Sequence, residues 1–133
     1  MAELFRLRVI TPDGVFYEGE ASMVELTTTE GEIGVYKNHV PMTYIVAPGI
    51  LAIHEAEEKK QAALHKGFVE ILQDQITVMA EAVEWPGEID KNRAEEAKIR
   101  AERRLGESAG SCDRQRAELA LRRALIRMEA AKL

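Results

Sequence analysis

Glu84-Trp85-Pro86-Gly87-Glu88-Ile89-Asp90-Lys91-Asn92-Arg93-Ala94 is the stretch in which the chain changes character. Before it, apolar residues recur at every second position, the period of a half-buried strand. After it, small residues recur at three- and four-residue spacing, the period of a helix face. Trp85-Pro86-Gly87-Glu88 continues neither pattern, because Pro86 removes a backbone donor and Gly87 is a poor helix former. Asp90 then offers an N-cap to a helix. These residues set a boundary between a first domain, 1–85, and a second, 86–133.

Working back from the boundary, the first domain reads as short strands joined by turns. Phe5-Arg6-Leu7-Arg8-Val9 alternates apolar and polar, and Thr11-Pro12-Asp13-Gly14 is a strong turn signal. Val15–Glu18 and Ser22–Thr29 follow as strands. Gly31-Glu32-Ile33-Gly34-Val35 reads as a glycine-punctuated loop or bulge. Met42–Val46 and Ile50–His54 flank Ala47-Pro48-Gly49 like a hairpin pair. Glu57-Glu58-Lys59-Lys60 reads as a charged turn. Gln61–Lys66, Phe68–Leu72 and Ile76–Glu81 complete the set. Eight or more short strands predict an antiparallel β-sandwich.

Working forward, the second domain reads as an antiparallel two-helix hairpin, giving an α+β fold class overall. One helix runs from Asp90 to about Leu105 and another from about Asp113 to Ala131, with a turn at 106–112. Small-residue stripes run along both, through Ala94, Ala97, Ala101 and Leu105, then Ala117, Ala120, Ala124, Met128 and Ala131. Such seams let helices approach closely but bury little apolar area. At 100° per residue, Arg93, Arg100 and Arg104 fall on one line, about 80° to one side of the first stripe. Arg116, Arg123 and Arg127 stand in the same relation to the second. Antiparallel packing brings both rows to one side, Arg100 near Arg123 and Arg93 near Arg127. Glu95, Glu102, Glu118 and Glu129 point away, while Glu96 lies nearer. Clustered guanidinium groups suit a phosphate-rich ligand or an acidic protein surface. Geometry alone favours a solvated basic face whose stems cover the alanine seam, because charge rows on helices are usually solvated.

The charge follows the same division. Residues 1–89 carry 6 Lys+Arg against 15 Asp+Glu, and residues 90–133 carry 12 against 8, for a net charge of -5 over 133 residues. The chain is acidic overall, without an aromatic-rich basic platform, which argues against nucleic acid. Hydrophobic residues at 46% and charged residues at 31% exclude disorder and fibrous structure. No apolar run reaches the length of a membrane span, so no direct membrane insertion is expected. Met1-Ala2-Glu3-Leu4-Phe5-Arg6 lacks the basic-then-apolar order of an export signal. A single Cys112, in a polar turn without an activating base, reads as an incidental thiol and rules out an internal disulfide. His39, His54 and His65 form no recognised metal-ligand spacing, and His54 and His65 read as surface strand residues. No phosphate loop and no nucleophile elbow are present, so no catalytic residue and no metal requirement is expected.

Joined in order, several of these segments resemble the epsilon subunit of bacterial F-type ATP synthases. They are Thr11-Pro12-Asp13-Gly14, Gly31-Glu32-Ile33-Gly34-Val35, His39-Val40-Pro41, Pro48-Gly49 and Gly67-Phe68-Val69-Glu70. The tail resembles that family too, in Ile89-Asp90-Lys91-Asn92-Arg93-Ala94, Arg100-Ala101-Glu102-Arg103-Arg104-Leu105 and Arg116-Ala117-Glu118-Leu119-Ala120-Leu121-Arg122-Arg123-Ala124. The resemblance covers essentially the whole chain.

The resemblance implies a non-catalytic subunit of the central stalk. Such a subunit couples the gamma subunit to the ring of c subunits and inhibits ATP hydrolysis by unfolding its C-terminal helices into the catalytic alpha/beta head. It implies a peripheral position on the cytoplasmic face of the bacterial plasma membrane. Some members bind ATP in the folded hairpin, as a regulatory ligand that is not hydrolysed, through an Ile/Leu-Asp-x-x-Arg-Ala motif. This sequence matches the motif at Ile89, Asp90, Arg93 and Ala94, and the remaining family positions fall on Glu84, Arg100, Arg123 and Arg127. Glu32 and His39 match positions that face the rotor ring, although the usual Pro-Gly before the histidine is Lys37-Asn38 here. Two alternatives stay open: the same subunit without ATP sensing, and a free-standing module for an acidic ligand.

Overall fold

The computed structural model describes residues 3–107 and 111–133. The chain divides into two compact units, one ending at Glu84 and the other beginning at Trp85.

The first unit is built from ten strands: β1 (Phe5–Thr11), β2 (Gly14–Ala21), β3 (Met23–Thr28), β4 (Gly31–Tyr36), β5 (Met42–Val46), β6 (Gly49–His54), β7 (Lys59–Leu64), β8 (Gly67–Ile71), β9 (Gln75–Ala80) and β10 (Val83–Glu84). Their hydrogen-bonded order is β10-β7-β6-β3-β5-β8-β9-β1-β2, with β4 also paired to β3. The path narrows to a single residue pair, Thr28 with Val46, between β3 and β5. On either side of that corner lie the two layers of a β-sandwich. One layer contributes Val24, Leu26, Leu51, Ile53 and Leu64 to the core, and the other Phe5, Leu7, Val9, Val69, Ile71 and Val78, each no more than 2% exposed. The strict inward–outward alternation of β1, β8 and β9 produces this division.

Four expectations for the sandwich are corrected. Gly31–Val35 is not a loop: it pairs in register with β3 from Thr28↔Gly31 to Met23↔Tyr36. The two glycines there do not break the strand, because Gly31 makes the turn with φ +119° and an added Cβ at Gly34 would meet nothing closer than Met23 Sδ at 3.6 Å. Met42–Val46 and Gly49–His54 do not pair with each other. β5 pairs with β8, whereas β6 pairs with β3 and β7. Ala47-Pro48 is instead the crossing between layers, anchored where the Ala47 N–H donates to the Thr27 carbonyl at 3.0 Å. The sandwich is also not wholly antiparallel, since β1 and β9 run parallel from Arg6↔Gln75 to Ile10↔Met79. Finally, His65 is fully buried. Its Nε2 lies 3.0 Å from Glu84 Oε1, a carboxylate supplied by the last strand.

A polar clasp ties β2 to the β6–β7 hairpin. The Tyr17 hydroxyl donates to Glu55 at 2.5 Å, and Lys60 Nζ lies 3.5 Å from the same carboxylate and 5.6 Å from the Tyr17 ring centroid. The Tyr17 hydrogen bond, with help from Lys60, holds the Glu55 carboxyl below its ordinary range against an opposing contribution from burial. Burial, reinforced by Glu55, pushes the Tyr17 phenol upward.

The second unit begins with a 3-10 turn at Pro86–Glu88 and continues as α1 (Lys91–Glu107) and α2 (Ser111–Ala130). Asp90 caps α1, its carboxylate accepting from the Arg93 N–H at 3.1 Å. The turn read at 106–112 is corrected at both ends, because α1 continues through Gly106 and Glu107 and α2 starts at Ser111. Residues 108–110 of that turn, and the Cys112 side chain, lie outside the described residues.

Two outcomes follow. An added Cβ at Gly67 would lie 2.0 Å from the Met79 carbonyl oxygen and 2.6 Å from Ala80 Cα, both backbone. Gly67→Ala is therefore expected to lower unfolding free energy by about 3 kcal/mol. Gly34→Ala should stay within about 0.5 kcal/mol of the parent, and denaturant titration of both reads the contrast. For the clasp, a depressed Glu55 means that its contribution is present above the ordinary carboxyl range and is lost as pH falls through the folded value. Tyr17→Phe should thus be less stable at neutral pH, and its gap to the parent should narrow on acidification. A gap independent of pH contradicts this assignment.

Candidate functional site

The alanine seam organises the helical hairpin. Ala94 and Ala101 on α1, and Ala117 and Ala124 on α2, are each 3% exposed or less. Both pairs are seven residues apart, so antiparallel packing sets Ala94 level with Ala124 and Ala101 level with Ala117. Ala97, Leu105, Ala120, Met128 and Ala131 are only half-buried at the seam's flanks. Ala130, rather than Ala131, is buried at the end of α2.

The arginines then fall beside the seam as helical geometry requires. Arg93, Arg100, Arg104 and Arg116 are exposed, and Arg123 and Arg127 are half-buried. Arg114 pairs with Glu118 at 3.4 Å on another face of the hairpin. Neither Arg93, Arg100, Arg104, Arg116 nor Arg123 has a carboxylate within ion-pair distance among the described residues. The Asp90 cap lies at the start of α1, level with the Arg127 end of α2. The second unit therefore gathers Ile89, Asp90, Arg93, Ala94, Arg100, Arg123 and Arg127. Ala94 contributes to the seam itself, and Ile89 is half-buried at the end of the 3-10 turn. Glu84 belongs to the sheet unit, where it faces His65.

Glu32 and His39 lie towards opposite ends of β4. Glu32 is exposed beside the β3–β4 turn, opposite Thr27. His39 follows the strand and is half-buried. Its Nδ1 lies 2.6 Å from the Val40 carbonyl oxygen, so that nitrogen carries the proton and donates. Asn38 before it adopts φ 67°, the left-handed conformation that asparagine tolerates better than most residues. Its N–H donates to the Gln73 carbonyl at 2.6 Å. Asparagine thus serves at a position where glycine would be the ordinary choice.

One surface was not read from the sequence. On the outer face of the second layer, the register Ile45↔Phe68↔Met79↔Ile10↔Val15 runs across five strands. Ile45 is 64% exposed, Phe68 45% and Val15 53%. Ile10, Pro12, Lys66 and Met79 join Ile45 and Phe68 in lining a shallow groove of about 500 Å³. The neighbouring row, Thr43↔Glu70↔Thr77↔Arg8↔Glu18, is polar. The signal for the apolar row was present in the sequence. Val9-Ile10, Tyr44-Ile45-Val46, Phe68-Val69 and Val78-Met79 place apolar side chains on both faces of their strands.

A sandwich with an apolar outer row, followed by a basic two-helix unit, is the build of a protein that works through its surfaces. Comparison with known proteins agrees. Residues 4–86 match the family described as ATP synthase, Delta/Epsilon chain, beta-sandwich domain, and residues 88–132 match its long alpha-helix domain. An ATP synthase epsilon chain from Shouchella clausii is 44% identical over 127 residues, covering 96% of this chain and 94% of the relative. Another, from Clostridium novyi, is 42% identical, covering 97% and 98%. In fold, the chain is similar to one in the mitochondrial ATP synthase OSCP/F1/c-ring structure of Euglena gracilis. The TM-score is 0.84 at 23% identity, covering 98% of this chain and 82% of that one. The chain belongs to the ATP synthase Delta/Epsilon chain family. It is a subunit of the synthase and not its catalytic part.

The seam generates a prediction. Ala117→Leu inserts volume where the helices meet and should destabilise the hairpin by about 1–3 kcal/mol. Thermal loss of the far-ultraviolet helical signal should move to lower temperature, while the β-sheet transition stays in place.

Proposed function

We propose that this epsilon-type subunit joins the central stalk through its sandwich and regulates ATP hydrolysis through its hairpin. In this reading the outer apolar row docks a gamma subunit, and Glu32 and His39 face the ring of c subunits. The assembly sits peripherally on the cytoplasmic face of a bacterial plasma membrane. No described helix is long and apolar enough to cross a membrane. Released from its folded state, the hairpin reaches the catalytic alpha/beta head and inhibits hydrolysis.

The observation that carries the regulatory reading is the arginine row beside the alanine seam, drawn from two helices, in which Arg93, Arg100 and Arg123 have no carboxylate within ion-pair distance among the described residues. Like charges so gathered disfavour closure unless an anion sits among them. ATP fits this face in charge and hydrogen-bonding chemistry. Arg93, Arg100, Arg123 and Arg127 would bind the triphosphate, with Asp90 and Ile89 at the helix start holding the base. ATP supplies no chemistry here, only binding energy. Because both helices must be together to present the row, ATP would stabilise the folded hairpin by mass action. High ATP then favours the permissive state, and low ATP releases the inhibitory helices. Glu84 enters this reading through the family resemblance alone.

Calorimetric titration of the full chain with ATP tests the reading. Saturable binding is expected, weakened at least tenfold in Arg123→Ala and in Asp90→Ala. Absence of binding at millimolar ATP would leave a coupling and inhibitory subunit that does not sense the nucleotide.

A further inference from the structure

Asn38 anchors the connection between β4 and β5. β4 leaves its ladder with β3 at Tyr36, and β5 enters its ladder with β8 at Met42. Residues 39–41 belong to no strand or helix, and Pro41 has no backbone N–H to give. Asn38 ties this loop to two other segments. Its backbone N–H donates to the Gln73 carbonyl, in the β8–β9 turn, at 2.6 Å. Its side-chain Nδ2 donates to Glu3 Oε2, ahead of β1, at 3.2 Å. Both bonds are made with Asn38 at φ 67°, the one positive φ of a non-glycine among the described residues.

The residues after the anchor face outward. His39 Nδ1 donates to the Val40 carbonyl, which leaves Nε2 as the acceptor of the ring. Val40 is 69% exposed, and Met42 and Leu72, the latter next to Gln73, are each 41% exposed. An imidazole acceptor among exposed apolar side chains has the character of a contact surface.

We propose that Asn38 is a positioning residue: it fixes the 37–41 loop so that His39 and Val40 meet the ring of c subunits as one preformed surface. The inference rests on the reading that His39 faces that ring. A loop fixed before contact gives up less conformational freedom on binding. Asparagine tolerates the left-handed backbone that the Gln73 bond requires, whereas a β-branched residue does so only under strain. Glycine would keep the backbone conformation and the Gln73 bond while giving up the tie to Glu3.

The test captures the full chain, bound to its gamma subunit, on purified rings of c subunits in detergent. Hydrogen exchange of the Asn38-position amide in the free chain is measured alongside. The parent amide should exchange slowly. Asn38→Val should release that amide and weaken ring capture at least tenfold, with the sandwich melting transition unchanged. Asn38→Gly should restore slow exchange and bring capture back to within threefold of the parent. Val40→Ser should weaken capture at least fivefold while its Asn38 amide stays slow. A fast Asn38 amide in the parent would overturn the proposal. So would equal capture of the parent and of an Asn38→Val chain whose amide is released, while leaving the ring reading standing. No capture of the parent, despite a slow amide, would overturn the ring reading itself and with it the role assigned to Asn38.

Discussion

The helical half of the molecule depends on close approach of two helices across four alanines. Ala94, Ala101, Ala117 and Ala124 exclude water without filling space, so the helices meet closely and gain little from apolar burial. The same spacing that makes the seam places the arginines beside it. Closure therefore brings like charges together while contributing modestly to stability. A helix pair with those two properties is readily tipped by an anion that binds only the closed form. Bulkier seam residues would separate the two rows; acidic neighbours within reach would neutralise them.

The sandwich obeys a different constraint. The strand ladder between its two layers narrows to one residue pair at Thr28 and Val46, with the Ala47 N–H and Thr27 carbonyl reinforcing the corner. Core side chains from both layers are almost completely withdrawn from water, so this unit is the rigid part. Rigidity gives the outer apolar row its value. Ile45, Phe68, Met79, Ile10 and Val15 are held in register by backbone ladders and present a preformed surface. The apolar outer row and the arginine row thus stand on separate compact units within 133 residues.

Local chemistry made much of this legible in the sequence. Asp90 as a cap, the seven-residue alanine spacing and the arginine lines all depend on residues within a few turns of one another. What escaped was set by distant partners. β5 follows a proline corner and finds its ladder in β8, more than twenty residues on, so a nearby hairpin with β6 was the wrong inference. The parallel pairing of β1 with β9 joins opposite ends of the sandwich. His65 is buried because Glu84, 19 residues later, arrives to face it. β4 was obscured by two glycines that the strand accommodates. The apolar outer row was missed because each strand was read for its inward face alone.

Hydrogen exchange of the α1 and α2 amides, with and without ATP, tests most directly the claim that the closed hairpin is the ligand-binding state. The account predicts slower exchange throughout both helices as ATP rises, with the sandwich amides unchanged and no such response in Arg123→Ala. Identical exchange in the helices at zero and saturating ATP would contradict it.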